Sequence, residues 1–215
     1  MLRITVRSIL MLSGMAFLQA APLAGHAAET CDYGTDPKNG LVVFSGTMPK
    51  NNDTPIHIGA PMNFSYSYNH AGATFLTRQS VLLSPTSLLF QSVPSDFPDG
   101  FGRVFILRLS AGDYEFVDWS YKGFGKMGTS KALGIKPLKF TVEAQRTVYL
   151  GDFAPDIFEG KNLFGQTVVE PWLTVRDQST RDLTAFQAKC PGFDVRQIDV
   201  KVMDPAPWIV HKKKS

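Results

Sequence analysis

Apolar and polar residues alternate with a period of two over much of the chain, the spacing of a strand that buries one face. The clearest case interleaves Phe64, Tyr66 and Tyr68 with Asn63, Ser65, Ser67 and Asn69. Residues 41–46 form an apolar run that predicts a first strand, and the short runs 81–83 and 88–90 around Pro85 predict strands or an edge hairpin. The densest stretch is 101–119. Phe105, Leu107 and Leu109 share one face of its first half, Tyr114 and Phe116 one face of its second, and the break Ser110-Ala111-Gly112-Asp113 lies between them. That pattern predicts a β-hairpin, with Gly112 supplying the reversal. Residues 104–107 are apolar on both faces, which predicts a central strand covered on each side and hence a second layer.

A second hairpin is predicted over 138–151, with Phe140 and Val142 before a turn at 144–146 and Val148 and Leu150 after it. Strands are also predicted at 166–175 and 193–203. Proline, glycine and asparagine mark loops at 50–61, 94–100, 122–134 and 153–162. Helical spacing occurs once. Ser179 stands as N-cap with Asp182 three residues on, Leu183, Phe186 and Cys190 share a face, and Pro191-Gly192 ends the run. Many short strands and one late helix predict an all-β, mainly antiparallel sandwich with a short C-terminal helix.

The amino terminus changes how composition is read. Arg3 and Arg7 precede an apolar stretch at 9–18 and a small-residue region at 20–28, the layout of a secretory signal peptide cleaved after Ala27. A membrane anchor would need about 20 apolar residues, and Ser13, Gly14 and Gln19 interrupt this one. Ala28-Glu29-Thr30 before Cys31 does not suit lipid attachment. The predicted organisation is a signal peptide at 1–27, a single β-sandwich domain at 28–208 and a basic tail at 209–215, with no transmembrane segment in the mature chain. The formal charge of +3 becomes +1 without Arg3 and Arg7, and −2 without Lys212, Lys213 and Lys214 as well. A body so near neutrality has no field to draw nucleic acid. In an oxidising compartment Cys31 and Cys190 are expected to pair, two free thiols being the alternative.

Residues 109–116, Leu-Ser-Ala-Gly-Asp-Tyr-Glu-Phe, together with Phe140-Thr141-Val142-Glu143-Ala144 and Thr147-Val148-Tyr149-Leu150-Gly151, resemble the repeated theme of transthyretin-like or carboxypeptidase-regulatory-like sandwiches, and of bacterial envelope domains that carry it. The resemblance covers about 50 residues of the 215 and implies a fold and an exported setting. Such domains are often non-catalytic accessory modules, so it assigns no functional residue.

Candidate chemistry is thin. Gly123-Phe124-Gly125-Lys126-Met127-Gly128 matches the dinucleotide fingerprint, but Gly134 and Pro137 stand where the helix should open, so a loop is expected and no cofactor. His57, His70 and His211 show no metal-ligand spacing, and no metal is expected. His57 and His70 could meet an acid such as Asp53, which defines the alternative of a secreted hydrolase; no Gly-x-Ser-x-Gly elbow is present. Asp113, Glu115 and Asp118 would be the carboxylates for glycoside chemistry, with a solvated face as the ordinary reading. Asn52 and Asn63 head glycosylation sequons, which the bacterial setting implied by the resemblance discounts. No catalytic residue is assigned. The surplus of aromatics is expected to fill the space between the layers; were some exposed together, they would form a binding surface that includes Tyr66, Tyr68, Tyr121 and Phe124. The resulting expectation is a periplasmic or secreted binding module whose partner is an envelope protein, peptide or glycan. A host-directed effector is a further possibility for which only secretion argues.

Overall fold

The structure is a computed structural model that describes residues 31–48, 63–86, 92–122, 130–131, 136–161, 164–165 and 167–204. The predicted signal peptide and basic tail, Asp53, His57, the run 88–90, Phe124 and the rest of the glycine pattern lie outside them. The described chain is mainly β. In order it forms β1 (Asn39–Thr47), β2 (Asn63–His70), β3 (Gln79–Leu83), β4 (Gly102–Ser110), β5 (Gly112–Lys122), β6 (Ser130–Lys131), β7 (Leu138–Val142), β8 (Thr147–Lys161), β9 (Thr167–Arg176), the helix α1 (Ser179–Lys189) and β10 (Ile198–Val200).

Two sheets result. The first runs β10-β8-β1-β4, with β9 also on β8; the second runs β3-β2-β5, with β6 and β7 both on β5. Pairing within the second is antiparallel throughout. The first is mixed: β4 pairs with β1 and β9 with β8 in antiparallel fashion, while β1 and β10 both lie parallel to β8, so the expected antiparallel pairing holds for most pairs and not for all. A parallel neighbour needs a long crossover, and here all five strands of the second sheet intervene between β1 and β8.

The sheets face each other across one apolar layer. Val42, Phe44, Leu107 and Phe153 from the first meet Tyr66, Phe116, Trp119 and Phe140 from the second. Ring contacts cross the gap directly, Phe44 to Phe116 at 5.3 Å and Tyr66 to Phe153 at 5.6 Å, at angles in the edge-on range that aromatic quadrupoles favour. On its other face the first sheet packs Leu41, Val43, Val104, Ile106 and Tyr149 against Phe186 of α1 and Cys190 just after it.

Both predicted hairpins are corrected by this layout. β4 and β5 belong to different sheets and only Ala111 separates them, with Gly112 at φ 155° after it. β7 and β8 likewise lie in different sheets, joined by a turn in which Gln145 takes φ 56° and its N–H donates to the Asn39 carbonyl at 2.7 Å. A residue pattern of period two tells which side chains are buried, not which strand is the hydrogen-bonded neighbour. Leu107 and Leu109 meet Tyr114 and Phe116 across the layer rather than beside them. The strand expected to be central, β4, is covered on both faces but lies at the sheet's edge. The final strand shrinks to Ile198–Val200 behind a short turn of 3-10 helix, and of the loop expected at 153–162, residues 153–161 are the continuation of β8.

Helix α1 matches its expected span, but its start is built differently. Gln178 occupies the cap position without a side-chain bond, while the Asp177 carboxylate accepts the Ser179 N–H at 3.0 Å. Asp182 is fully buried rather than turned back on the helix end. At the far end Cys190 is bonded to Cys31, 159 positions away in sequence, so the first described residue is fastened to the end of α1.

Candidate functional site

Along β1, Leu41, Val43, Ser45 and Thr47 point toward α1, so the face under the helix turns from apolar to polar partway along the strand. The neighbouring β8 follows it in register from Leu41↔Thr147 to Val43↔Tyr149, then pairs Ser45 with Asp152. One extra residue has entered β8, a β-bulge. Gly151 makes it possible: its φ of 114° disfavours a side chain, and a Cβ there would stand 2.6 Å from the Val175 Cγ1. The extra residue reverses the alternation. Asp152 therefore faces the helix and Phe153 returns to the layer between the sheets.

Beneath α1 this brings together Ser45, Thr47, Tyr149, Asp152 and Asp182, with Arg181 over them. The Ser45 Oγ lies 2.9 Å from Asp152 Oδ1 and 2.5 Å from Asp182 Oδ2. Tyr149 donates its hydroxyl proton to Asp182 Oδ2 at 2.5 Å, and Thr47 Oγ1 stands 3.1 Å from both oxygens of Asp152. Arg181 donates through Nε to Asp182 Oδ1 at 2.8 Å, and its terminal nitrogen is 3.4 Å from Asp152 Oδ2. Its guanidinium lies 4.1 Å from the centroid of the Phe97 ring, a cation–π contact that holds it over the cluster.

Burial dominates the electrostatics. Ser45 and Asp182 have no exposed surface and Asp152 has 2%, so ionising a second carboxyl there is costly. Desolvation pushes Asp152 above the ordinary carboxylate value against the opposing pull of Arg181 and the Ser45 and Thr47 hydroxyls, and the charge of Asp182 pushes the same way. Tyr149 is held far above the usual phenol range by burial and by its bond to Asp182. The arrangement can keep a proton and fix a helix; its serine hydroxyl is closed to an external substrate. Outside it, a groove of about 750 Å³ runs between α1 and the loop carrying Asp96, Phe97 and Pro98, with Arg181 on its wall. Lys189, at the end of α1, is ion-paired with Asp96 of that loop at 3.0 Å.

None of these residues was a sequence candidate except Cys190 nearby and Asp182 as a helix-start residue. The available signals were a serine inside the apolar run of β1 and an aspartate inside that of β8. The residues that were candidates lie elsewhere. Tyr66 and Tyr68 lie in the core, as the favoured expectation had it, and not on the possible binding surface: they retain 0% and 4% exposure. Their hydroxyls are satisfied in place, Tyr66 donating to the Phe153 carbonyl at 3.1 Å and Tyr68 to Gln79 Oε1 at 2.8 Å. Tyr121 is placed only by its backbone, opposite Phe64 on β2. His70 stacks on Tyr114 with centroids 4.1 Å apart; the Tyr114 hydroxyl donates to the Ser110 carbonyl and meets the histidine Nε2 at 3.0 Å. Asp113 accepts the Thr141 hydroxyl, and Asp118 is ion-paired with Arg78 at 2.5 Å. No group of metal ligands occurs among the described residues.

No protein-family model matches the chain, and no curated protein matches it. Among solved structures it is similar to a leucine-rich repeat protein from Bacteroides thetaiotaomicron, at 12% identity with a TM-score of 0.30. That alignment covers 66% of this chain and 19% of the other. A likeness this slight carries no argument about fold or role.

Proposed function

We propose that the chain is an exported, non-catalytic module of the periplasm or cell envelope that recognises another envelope component through strand edges. The observation that carries this reading is the length of β8. Its pairing with β1 stops at Gly46↔Phe153, yet its pairing with β9 continues from Asp152↔Arg176 out to Lys161↔Thr167. Among the described residues no third strand accompanies that extension. A two-stranded ribbon of this kind offers unpaired main-chain N–H and C=O groups to an extended segment of a partner, the mode in which a protein or peptide adds a strand.

The sandwich is of the transthyretin-like type in this reading. Setting aside the short β6 and β10, the strands divide as β4-β1-β8-β9 and β3-β2-β5-β7, with β1 and β8 the parallel pair, a two-sheet division that supports it. Export is supported by the amino-terminal pattern and by the Cys31–Cys190 bond, which suits an oxidising space. No described helix is long and apolar enough to cross a membrane.

The test compares the mature protein with a variant in which an Asn-Gly turn joins Asp156 directly to its register partner Trp172. Both are immobilised and exposed to solubilised envelope. The reading predicts that the shortened protein unfolds at nearly the same temperature and retains no envelope component that the intact one retains. Equal retention by both would refute it.

A further inference from the structure

Hydrogen counting beneath α1 leaves one proton too few. The Ser45 hydroxyl has a single hydrogen, yet its oxygen is within bonding distance of a carboxyl oxygen on each side, Asp152 Oδ1 and Asp182 Oδ2. A hydroxyl can donate to only one of them. Were both groups ionised, the other contact would set a lone pair against a carboxylate in a site with almost no solvent, where such a clash is least screened. Asp182 already accepts from Tyr149 and Arg181, so Ser45 donates to it; of the two lone pairs on Ser45, one meets the Arg181 terminal nitrogen at 3.4 Å and the other receives from Asp152. We infer that Asp152, Ser45 and Asp182 hold one additional proton, resident on Asp152, and that its loss loosens the first half of α1 while the Cys31–Cys190 bond keeps the helix's other end in place.

The surroundings of Asp152 are consistent with that role. From β1 it meets the Ser45 and Thr47 hydroxyls, and from α1 the Arg181 guanidinium and the Asp182 carboxylate. Tyr149 lies on its own strand, Tyr66 of β2 lies near it from the second sheet, and Arg176 of β9 is its register partner. With Asp152 protonated, one guanidinium faces one carboxylate and the buried site is neutral. Without the proton, two carboxylates share Arg181, and the group that can move is α1, which brings both Asp182 and Arg181. Movement there would widen the groove beside Phe97.

The sign follows from linkage. An unfolded aspartate ionises near its ordinary value, while the folded Asp152 retains its proton to higher pH. Between those two points the unfolded state binds fewer protons, so stability falls as pH rises. The experiment is urea unfolding of the oxidised mature chain at about pH 5 and about pH 7.5, conditions above the ordinary aspartate range, for wild type, Asp152→Asn and Asp182→Asn. An asparagine at 152 reproduces the neutral, donating form. Asp152→Asn is therefore expected to fold and to remove a wild-type loss of up to about tenfold in folding constant per pH unit; Asp182→Asn is expected to be strongly destabilised at both pH values. Equal damage from the two substitutions, failure of Asp152→Asn to fold, or survival of the full pH slope in it would overturn the inference. Amide exchange in the wild type supplies a readout that needs no variant. After correction for intrinsic rates, protection of Asp182 and Leu183 should fall with rising pH while that of Lys189 and Cys190 holds; uniform protection across α1 at all pH values would also overturn it.

Discussion

Tyr66 stands in the middle of the layer between the sheets, and its hydroxyl reaches across to the main chain of β8. Burial and the nearby Asp152 carboxyl hold its ionisation well above the usual phenol value, and burial with the neighbouring Tyr114 takes Tyr68 to about 12. Both groups therefore stay neutral at a pH where an unfolded tyrosine would be charged, and stability fully present below the ordinary phenol value of about 10 is lost as pH climbs toward 12. Ultraviolet titration should show these tyrosines ionising only as the protein unfolds in alkali; smooth ionisation of every tyrosine near pH 10 in folded protein would contradict their placement. Tyr66→Phe should cost about 1 kcal/mol in urea unfolding, the net value of one hydrogen bond, with the fold intact. At this scale the alternation of β2 was legible, down to which side chains share a face. Whether that face met water or a second sheet was not, since an aromatic stripe suits either. Ser45 and Asp152 were opaque for a related reason: a lone polar residue in an apolar run has no visible partner until a bulge and a helix deliver one.

Helix α1 is held by three different means: Phe186 in the apolar cluster under it, the Arg181 and Asp182 network at its start and the disulfide at its end. Phe186→Ala should destabilise by about 3–5 kcal/mol in calorimetry or urea unfolding, the range for emptying a buried aromatic site. Reducing the Cys31–Cys190 bond releases a closed loop of 159 positions, for which chain entropy allows up to roughly 5 kcal/mol; a markedly lower Tm in reductant is the expected result, and an unchanged Tm would argue against the bond's structural part. The helix was legible because its spacing is local. The two hairpins were misread because each turn lies at a corner between sheets, and a corner uses the same small and polar residues as a hairpin. The β8 extension was hidden by Pro155, which reads as a breaker. In the structure Pro155 pairs with Leu173 after β1 has ended, so one side of the strand no longer needs a donor, the edge setting in which proline is tolerated.

At the scale of the molecule, the chain divides into a well-buried body and a ribbon that outruns it. The body accounts for the apolar content and for most of the polar residues that might have suggested catalysis, because Asp152, Asp182 and Ser45 are consumed in fixing α1. The proposed role therefore rests on strand edges: among the described residues the extension of β8 beyond β1 pairs only with β9. The alternation of apolar and polar residues carried the mainly β class of fold; the mixed first sheet could not be read, since pairing between β1 and β8 depends on contacts about a hundred positions apart in sequence. The most direct measurement is amide exchange over residues 156–161, first in the free protein and then in complex with whatever envelope component it retains. The account predicts an alternating pattern in the free state, with every second amide unprotected, and protection of those amides on binding. Complex formation that leaves the exchange of this stretch unchanged would contradict it.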